Sequence, residues 1–256
     1  MIRTSKKGKW GECMQISIES IKGKRGSNQD YTKASYNKNN HLMAVLCDGM
    51  GGHQAGDRAS QLAVETITKM WEETNLSSKD EVVQWFNQAV NEVNELIYET
   101  GLEKTEWFGM GSTIVASIII DNCIIIANVG DSRAYKYSTN GVQIITDDHS
   151  FAHELYLNGE ITKEEAEVHY QRNMLTRSLG LPNEISVDTF EISVNELSKL
   201  FLCSDGLSDM LSNEEMKSII EQGESMDTIT SKMVERAYQN GSTDNITILM
   251  IDLHNE

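Results

Sequence analysis

The stretch "STIVASIIIDNCIIIANVGDSRAYKYS", Ser112 to Ser138, decides how the chain folds. Two runs rich in β-branched residues, Ser112–Ile120 and Cys123–Gly130, are separated only by Asp121 and Asn122. A polar connection that short fits an antiparallel hairpin. A third run, Ser132–Ser138, meets "VQIIT" across the turn "TNG", Thr139 to Gly141. Working outward, "MQISIES", "DYTKASY", "LMAVLCD", "ISVDTFEI", "KLFLCSD" and "NITILMIDL" have the same character. Helical periodicity covers Ala55 to about Glu73, Lys79 to about Glu103, Ser212–Gln222 and Met226–Tyr238. Antiparallel strands with helices grouped in pairs predict an α+β layered sandwich and argue against a doubly wound sheet.

One proline, Pro182, and no Ser/Gly-rich linker predict a single domain over residues 1–256. The basic opening "MIRTSKKGKW" has no apolar segment behind it, so it reads as a flexible terminus over 1–12 and not as a secretory signal. No apolar run approaches membrane-spanning length, which predicts a soluble, cytoplasmic protein without a membrane partner. The net charge of −17 disfavours polyanions, so nucleic acid is not an expected partner. Four separated cysteines, Cys13, Cys47, Cys123 and Cys203, read as free thiols in a reducing compartment. The polar segment Phe151–Arg172 reads as two short helices, with a capping box at Thr162 and Glu165, forming either a flap beside a site or an ordinary surface hairpin.

Four aspartates stand at the ends of expected strands: Asp48, Asp131, Asp205 and Asp244. Singly, each fits a turn or a cap, and "SDGLSD" is readable as Ser204 or Asp205 capping a short helix. Together, with Gly49, Gly130 and Gly206 adjoining three of them, they suggest one acidic centre. Such a centre is repulsive unless it holds hard cations, Mg²⁺ or Mn²⁺. Two such ions activate water and grip phosphoryl oxygens, so phosphate-ester hydrolysis is the natural reaction. Arg25, just upstream of another carboxylate, Asp30, supplies a guanidinium for the phosphate; its plain alternative is a solvated basic turn.

The ordered motifs "GKRGSNQD", "LCDGMGGHQAG", "GMGST", "ANVGDSRAY", "TDDHS", "NMLTRSLG", "FLCSDGLSDML" and "STDNITIL" resemble those of the metal-dependent serine/threonine protein phosphatases of type 2C, in their compact bacterial form, from about Ile16 to Leu253. The resemblance implies a four-layer αββα sandwich with a helical flap over 151–172. It implies that Asp48 bridges two Mn²⁺ or Mg²⁺ ions, that the Gly49 carbonyl completes one, and that Asp205 and Asp244 bind the other. Asp30 would belong to the metal site through metal-bound water, Arg25 would bind the substrate phosphate, and a third ion would lie near Asp131 with Asp205 shared. The implied reaction is in-line attack of a metal-bridging hydroxide on phosphoserine or phosphothreonine in proteins, the substrates of a cognate serine/threonine kinase, by a monomeric enzyme. The rival readings are an inactive phosphoprotein-binding module of the same fold and a metallohydrolase of small phosphoesters.

Three positions depart from the commoner family pattern. Gln29 stands where many members have glutamate, which lowers the local negative charge. Met50 stands where eukaryotic members carry a histidine, leaving His53 as the nearest proton donor or substrate contact, or as a brace for the loop. Tyr170 replaces an expected proline in the flap.

Overall fold

Along β3 (Leu42–Met50) alternate side chains enter different cores, and this parity generates the architecture. Leu42, Ala44 and Leu46 face a second sheet, whereas Met43, Val45 and Cys47 face helices. The computed structural model describes residues 14–253, so Cys13 and the terminus expected to be flexible over 1–12 lie outside the described residues.

One sheet has the order β2 (Asp30–Tyr36), β3, β5 (Ile114–Ile120), β6 (Cys123–Val129) and β9 (Asp188–Ser193), with the two-residue β4 (Gly111–Ser112) paired to the end of β3. The other has the order β1 (Gln15–Ile21), β11 (Ile246–Asp252), β10 (Lys199–Cys203), β7 (Arg133–Ser138) and β8 (Gly141–Ile144). Every ladder is antiparallel. The near-continuous apolar runs of β5 and β6 follow from cover on both faces, a pattern more usual in parallel sheets. Asp121 turns their hairpin at φ 47°, a left-handed conformation that aspartate tolerates.

Between the sheets, Leu46, Val115, Ile124 and Ile126 share a core with Leu200, Leu202, Leu249 and Ile251. Outside the first sheet lie α1 (Gly52–Glu73) and α2 (Lys79–Glu103), which cover its odd β3 row with Trp71, Phe86 and Val90. The helical flap comprises α3 (Phe151–Leu157) and α4 (Lys163–Glu167), and the single turn α5 (Asp205–Ser208) follows β10. Outside the second sheet, α6 (Asn213–Ile220) and α7 (Met226–Gln239) pack on Phe201, Ile248 and Met250. The layers are therefore helix pair, sheet, sheet, helix pair, as expected. Among the described residues no helix is long and apolar enough to cross a membrane.

Some boundaries differ from the sequence reading. α1 begins at Gly52, ahead of Ala55, because Gly51 turns the chain at φ 114°. α6 stops at Ile220, short of Gln222, where the chain enters Gly223 at φ 68°. β9 starts at Asp188 and not Ile185, whose N–H is taken by the Asn91 side chain at 2.8 Å. The capping box of α4 forms, with Thr162 N donating to Glu165 Oε2 at 2.8 Å. At Tyr170 the chain still turns, closed by Arg172 N donating to His169 O at 3.1 Å.

The inter-sheet layer fixes how the two halves meet, so its central side chains should be costly to truncate. Leu202→Ala is expected to lower unfolding free energy by about 2–5 kcal/mol in urea titration. Leu202→Met, which keeps the volume, is expected to cost under about 1.5 kcal/mol.

Candidate metal centre

The candidate centre lies at the end of the inter-sheet layer. Asp48 continues the even row of Leu42, Ala44 and Leu46, so the pleat aims it towards the second sheet. Asp30 is directly across from it in the β2–β3 register. β3 does not end at Asp48: pairing with β4 carries it through Gly49 and Met50. Asp48 N donates to Thr113 Oγ1 at 2.9 Å, and its carbonyl accepts from Thr113 N at 2.8 Å and Ser112 Oγ at 2.9 Å.

From the second sheet come Asp205, the first residue of α5, and Asp244, two residues ahead of β11. Ser204 occupies the cap position of α5 but makes no capping bond. Its fully buried hydroxyl instead donates to Asp30 Oδ2 at 2.7 Å, joining the sheets at the carboxylates. The Ser204 hydroxyl therefore does not cap the short helix expected at "SDGLSD". Gly206 is required because a Cβ there would meet the Asn245 carbonyl at 1.9 Å.

Asn245 was not singled out in the sequence, yet it organises the site. Its buried amide donates to Lys22 O at 2.9 Å and Ser27 O at 2.8 Å, and its Oδ1 accepts from Gln29 N at 2.8 Å. The turn carrying Arg25 is thereby clamped against Asp244, and Arg25 Nη2 donates to Asp244 Oδ2 at 2.6 Å. Gln29, the neutral replacement, donates Nε2 to Gly52 O at 3.0 Å and braces the glycine loop. Met50 ends β3 opposite Gly111 and has no proton to give. The His53 side chain lies outside the described residues.

Electrostatics bind these positions into one cluster. Burial raises the Asp48 carboxyl well above its ordinary pKa, and the charges of Asp30, Asp205, Asp131 and Asp244 add to the effect. Asp205 is raised likewise by burial, then by Asp131, Asp244 and Asp209. Burial pushes Asp30 up to about 6, against the pull of its hydrogen bonds, and Asp131 up to about 7, where Asp148 adds repulsion. Asp209, also missed in the sequence, is raised by burial although Arg133 and Arg172 oppose the shift. Arg133 forks onto Asp148 with bonds of 2.8 and 2.6 Å. A cleft of about 500 Å³ between flap and body opens onto Asp131, Asp205 and Asp209, with Arg133 and Arg172 on its wall.

These residues fit hard divalent cations. Buried Oδ1 atoms of Asp30 and Asp205 have no hydrogen-bond donor, and repelling carboxylates need positive charge. A Cβ at Gly49 would meet the Gly56 carbonyl at 1.9 Å, so that segment of loop must be bare backbone. Among the described residues no three acidic, histidine or cysteine side chains gather tightly enough to enclose an ion alone. Ions that keep several waters and take few protein ligands suit that spacing.

An acidic centre of oxygen donors at the rim of a ββ sandwich, with a guanidinium at its mouth, suits cation-assisted chemistry on a phosphate ester. Comparison with known proteins carries the assignment further. The sequence signature of protein phosphatase 2C matches residues 22–247. The serine/threonine phosphatase stp of Listeria welshimeri is 38% identical over 229 residues, covering 89% of this chain and 91% of that protein. The crystal structure of the serine/threonine phosphatase Stp1 from Staphylococcus aureus superposes with a TM-score of 0.91 at 34% identity, covering 94% of this chain and 96% of that one. The catalytic domain of PstP in complex with two manganese ions superposes at 0.80, with 27% identity over 93% of this chain and 97% of that one. The chain belongs to the protein phosphatase 2C family. It is a metal-dependent serine/threonine protein phosphatase.

An unfolded aspartate loses its proton near 3.9, whereas folded Asp30 and Asp131 hold theirs up to about 6 and about 7. Between these values the metal-free native state binds more protons than the unfolded chain. Their stabilising contribution is complete below about pH 4 and is lost as pH rises through the folded values. In EDTA the melting temperature should fall from about pH 5 to about pH 8, fall less in Asp131→Asn, and recover at the higher pH on adding Mn²⁺. Scanning calorimetry measures all three. Separately, Asn245→Ala should free the Arg25 turn and weaken inhibition by inorganic phosphate at least about tenfold, since positioning errors are costly in catalytic sites. Phosphate inhibition constants check this.

Proposed function

We propose that the enzyme hydrolyses phosphoserine and phosphothreonine in proteins by direct in-line attack of water, without a phosphoenzyme, through one catalytic unit built from both sheets. The observation that carries this reading is the set of buried, mutually repelling carboxylates, two with unpartnered oxygens, beside Arg25. Asp48 and the Gly49 carbonyl would hold one Mn²⁺ or Mg²⁺ ion, and Asp48, Asp205 and Asp244 a second. Asp131 and Asp205, with Asp209 near, would hold a third. Bound divalent ions supply charge that lowers the pKa of water and neutralises phosphoryl oxygens.

The protein's own groups do the rest. Asp30 is held through Oδ2 by Ser204, leaving Oδ1 to orient the attacking water. Arg25, half-exposed at the rim, orients the phosphate by its guanidinium fork. His53 is assigned the proton of the leaving oxygen; a His53→Gln variant with the wild-type pH–rate profile would remove it from that role. Burial drives the thiols of Cys47 and Cys203 well above the ordinary range, which argues against a cysteine nucleophile. We further assign the enzyme a monomeric state and the task of opposing a serine/threonine kinase.

Asp48→Asn and Asp205→Asn should each lower Mn²⁺-dependent phosphopeptide hydrolysis at least about a hundredfold, while removing repulsion and raising the metal-free melting temperature. Activity retained in either variant, or activity surviving EDTA, sinks the reading.

A further inference from the structure

The clamped turn presents more than Arg25. Lys22, Lys24 and Arg25 place three cations within four residues of a chain whose net charge is −17. Both ends of this turn are held by Asn245, through Lys22 O and Ser27 O. Its middle is pressed onto the Asp244 segment, because a Cβ at Gly23, φ 56°, would meet the Asp244 carbonyl at 2.1 Å. The turn is also closed by Arg25 N donating to Lys22 O at 3.1 Å. Cations on such a turn have fixed roots.

Lys24 lies along the rim. Its Nζ donates to Gly241 O at 3.5 Å and stands 5.6 Å from the ring centroid of Tyr238, which is itself exposed. It has no carboxylate partner among the described residues. Arg25 meets Asp244, so both cationic heads rest on the stretch Gly241–Asp244. The Cα atoms of Gly241 and Asp244, three residue steps apart, are separated by at most about 11 Å, which sets the scale of the spacing between the two heads. An extended substrate segment covers a similar distance in about three residues, at roughly 3.3 Å each.

Charge adds a reason for a second cation. A phosphorylated acidic segment is repelled by the field of a strongly negative protein, and a local positive rim reverses that field at close range. Lys24 is held by a weak carbonyl contact and a ring face, both of which leave its ammonium free to take an anion.

Resting on the phosphatase reading above, we propose that Lys24, backed by Tyr238, is a specificity-determining residue. It selects substrates bearing an anionic side chain, a carboxylate or a second phosphate, within about three residues of the phosphoserine bound at Arg25.

The test uses the Mn²⁺-loaded enzyme and a set of phosphoserine peptides. One peptide is neutral, six carry a single Asp at each of the three positions on either side, six carry a second phosphoserine there, and six carry Lys. For at least one position, kcat/KM for the Asp peptide should exceed that for the neutral peptide about two- to fivefold, the range of an exposed ion pair, and the gain should shrink in high salt. Lys24→Glu should abolish that ratio and turn it in favour of the Lys peptide at the same position. A gain confined to the second-phosphate arm identifies phosphate as the group read, and the same charge swap must remove it. Equal ratios in wild type and Lys24→Glu, or no anionic preference in wild type, overturn the proposal. If wild type leaves even the neutral peptide uncleaved, the phosphatase reading fails first and this inference with it.

Discussion

Repulsion among buried and half-buried carboxylates is the constraint around which the molecule is arranged. Asp30 and Asp48 come from one sheet, Asp205 and Asp244 from the other, and the charges of their neighbours help to raise the proton affinity of Asp48 and Asp205. The frame around the cluster has to hold it against that repulsion. The frame is the apolar layer between the sheets, which ends where the aspartates begin. The polar ties across that end are short: Ser204 to Asp30 is buried, and Asn245 to the Lys22–Gln29 turn is partly so. Stability of the layers and chemistry at their rim therefore pull in opposite directions, as is common where a site is preorganised for a charged ligand.

The two sides of the centre are built differently. On the first sheet, the carboxylates sit on ladder positions, and the Asp48 backbone is fixed by donating to Thr113 Oγ1 and accepting from Thr113 N. On the second, they sit on short connections that lack a ladder and are positioned by glycines and amides: Gly206 against the Asn245 carbonyl, and Gly23 against the Asp244 carbonyl. A rigid half thus faces a half set by loop packing. Adjustment to an incoming ion or substrate should concentrate on Asp205 and Asp244, whose segments are the shorter and less regular ones.

Much of this was legible in the chain. The Asp121–Asn122 hairpin, the paired helices and the aspartates at run ends identify the fold and the acidic centre, because alternation and turn chemistry are local properties. What escaped was the work done by neutral residues. Ser204 looks like a helix cap until Asp30, 174 positions away, is brought beside it. Asn245 looks like one polar residue ahead of a strand until the turn it clamps, more than two hundred positions earlier, folds over it. One carboxylate escaped with them: Asp209 meets Arg133 and Arg172 only in the fold. Such roles depend on long-range juxtaposition, and side-chain amides and hydroxyls carry no periodic signal to announce it.

The parity of β3 has an evolutionary consequence. Leu42, Ala44, Leu46 and Asp48 form one row and Met43, Val45 and Cys47 the other. Deleting or inserting a single residue upstream of Asp48 within this strand would exchange the rows, turning the carboxylate into the helix-facing core and a thiol towards the neighbouring sheet. Indels of odd length are thereby barred from the central strands. Lineages that diversify this scaffold must place their changes in length elsewhere, in connections such as the flap between β8 and β9.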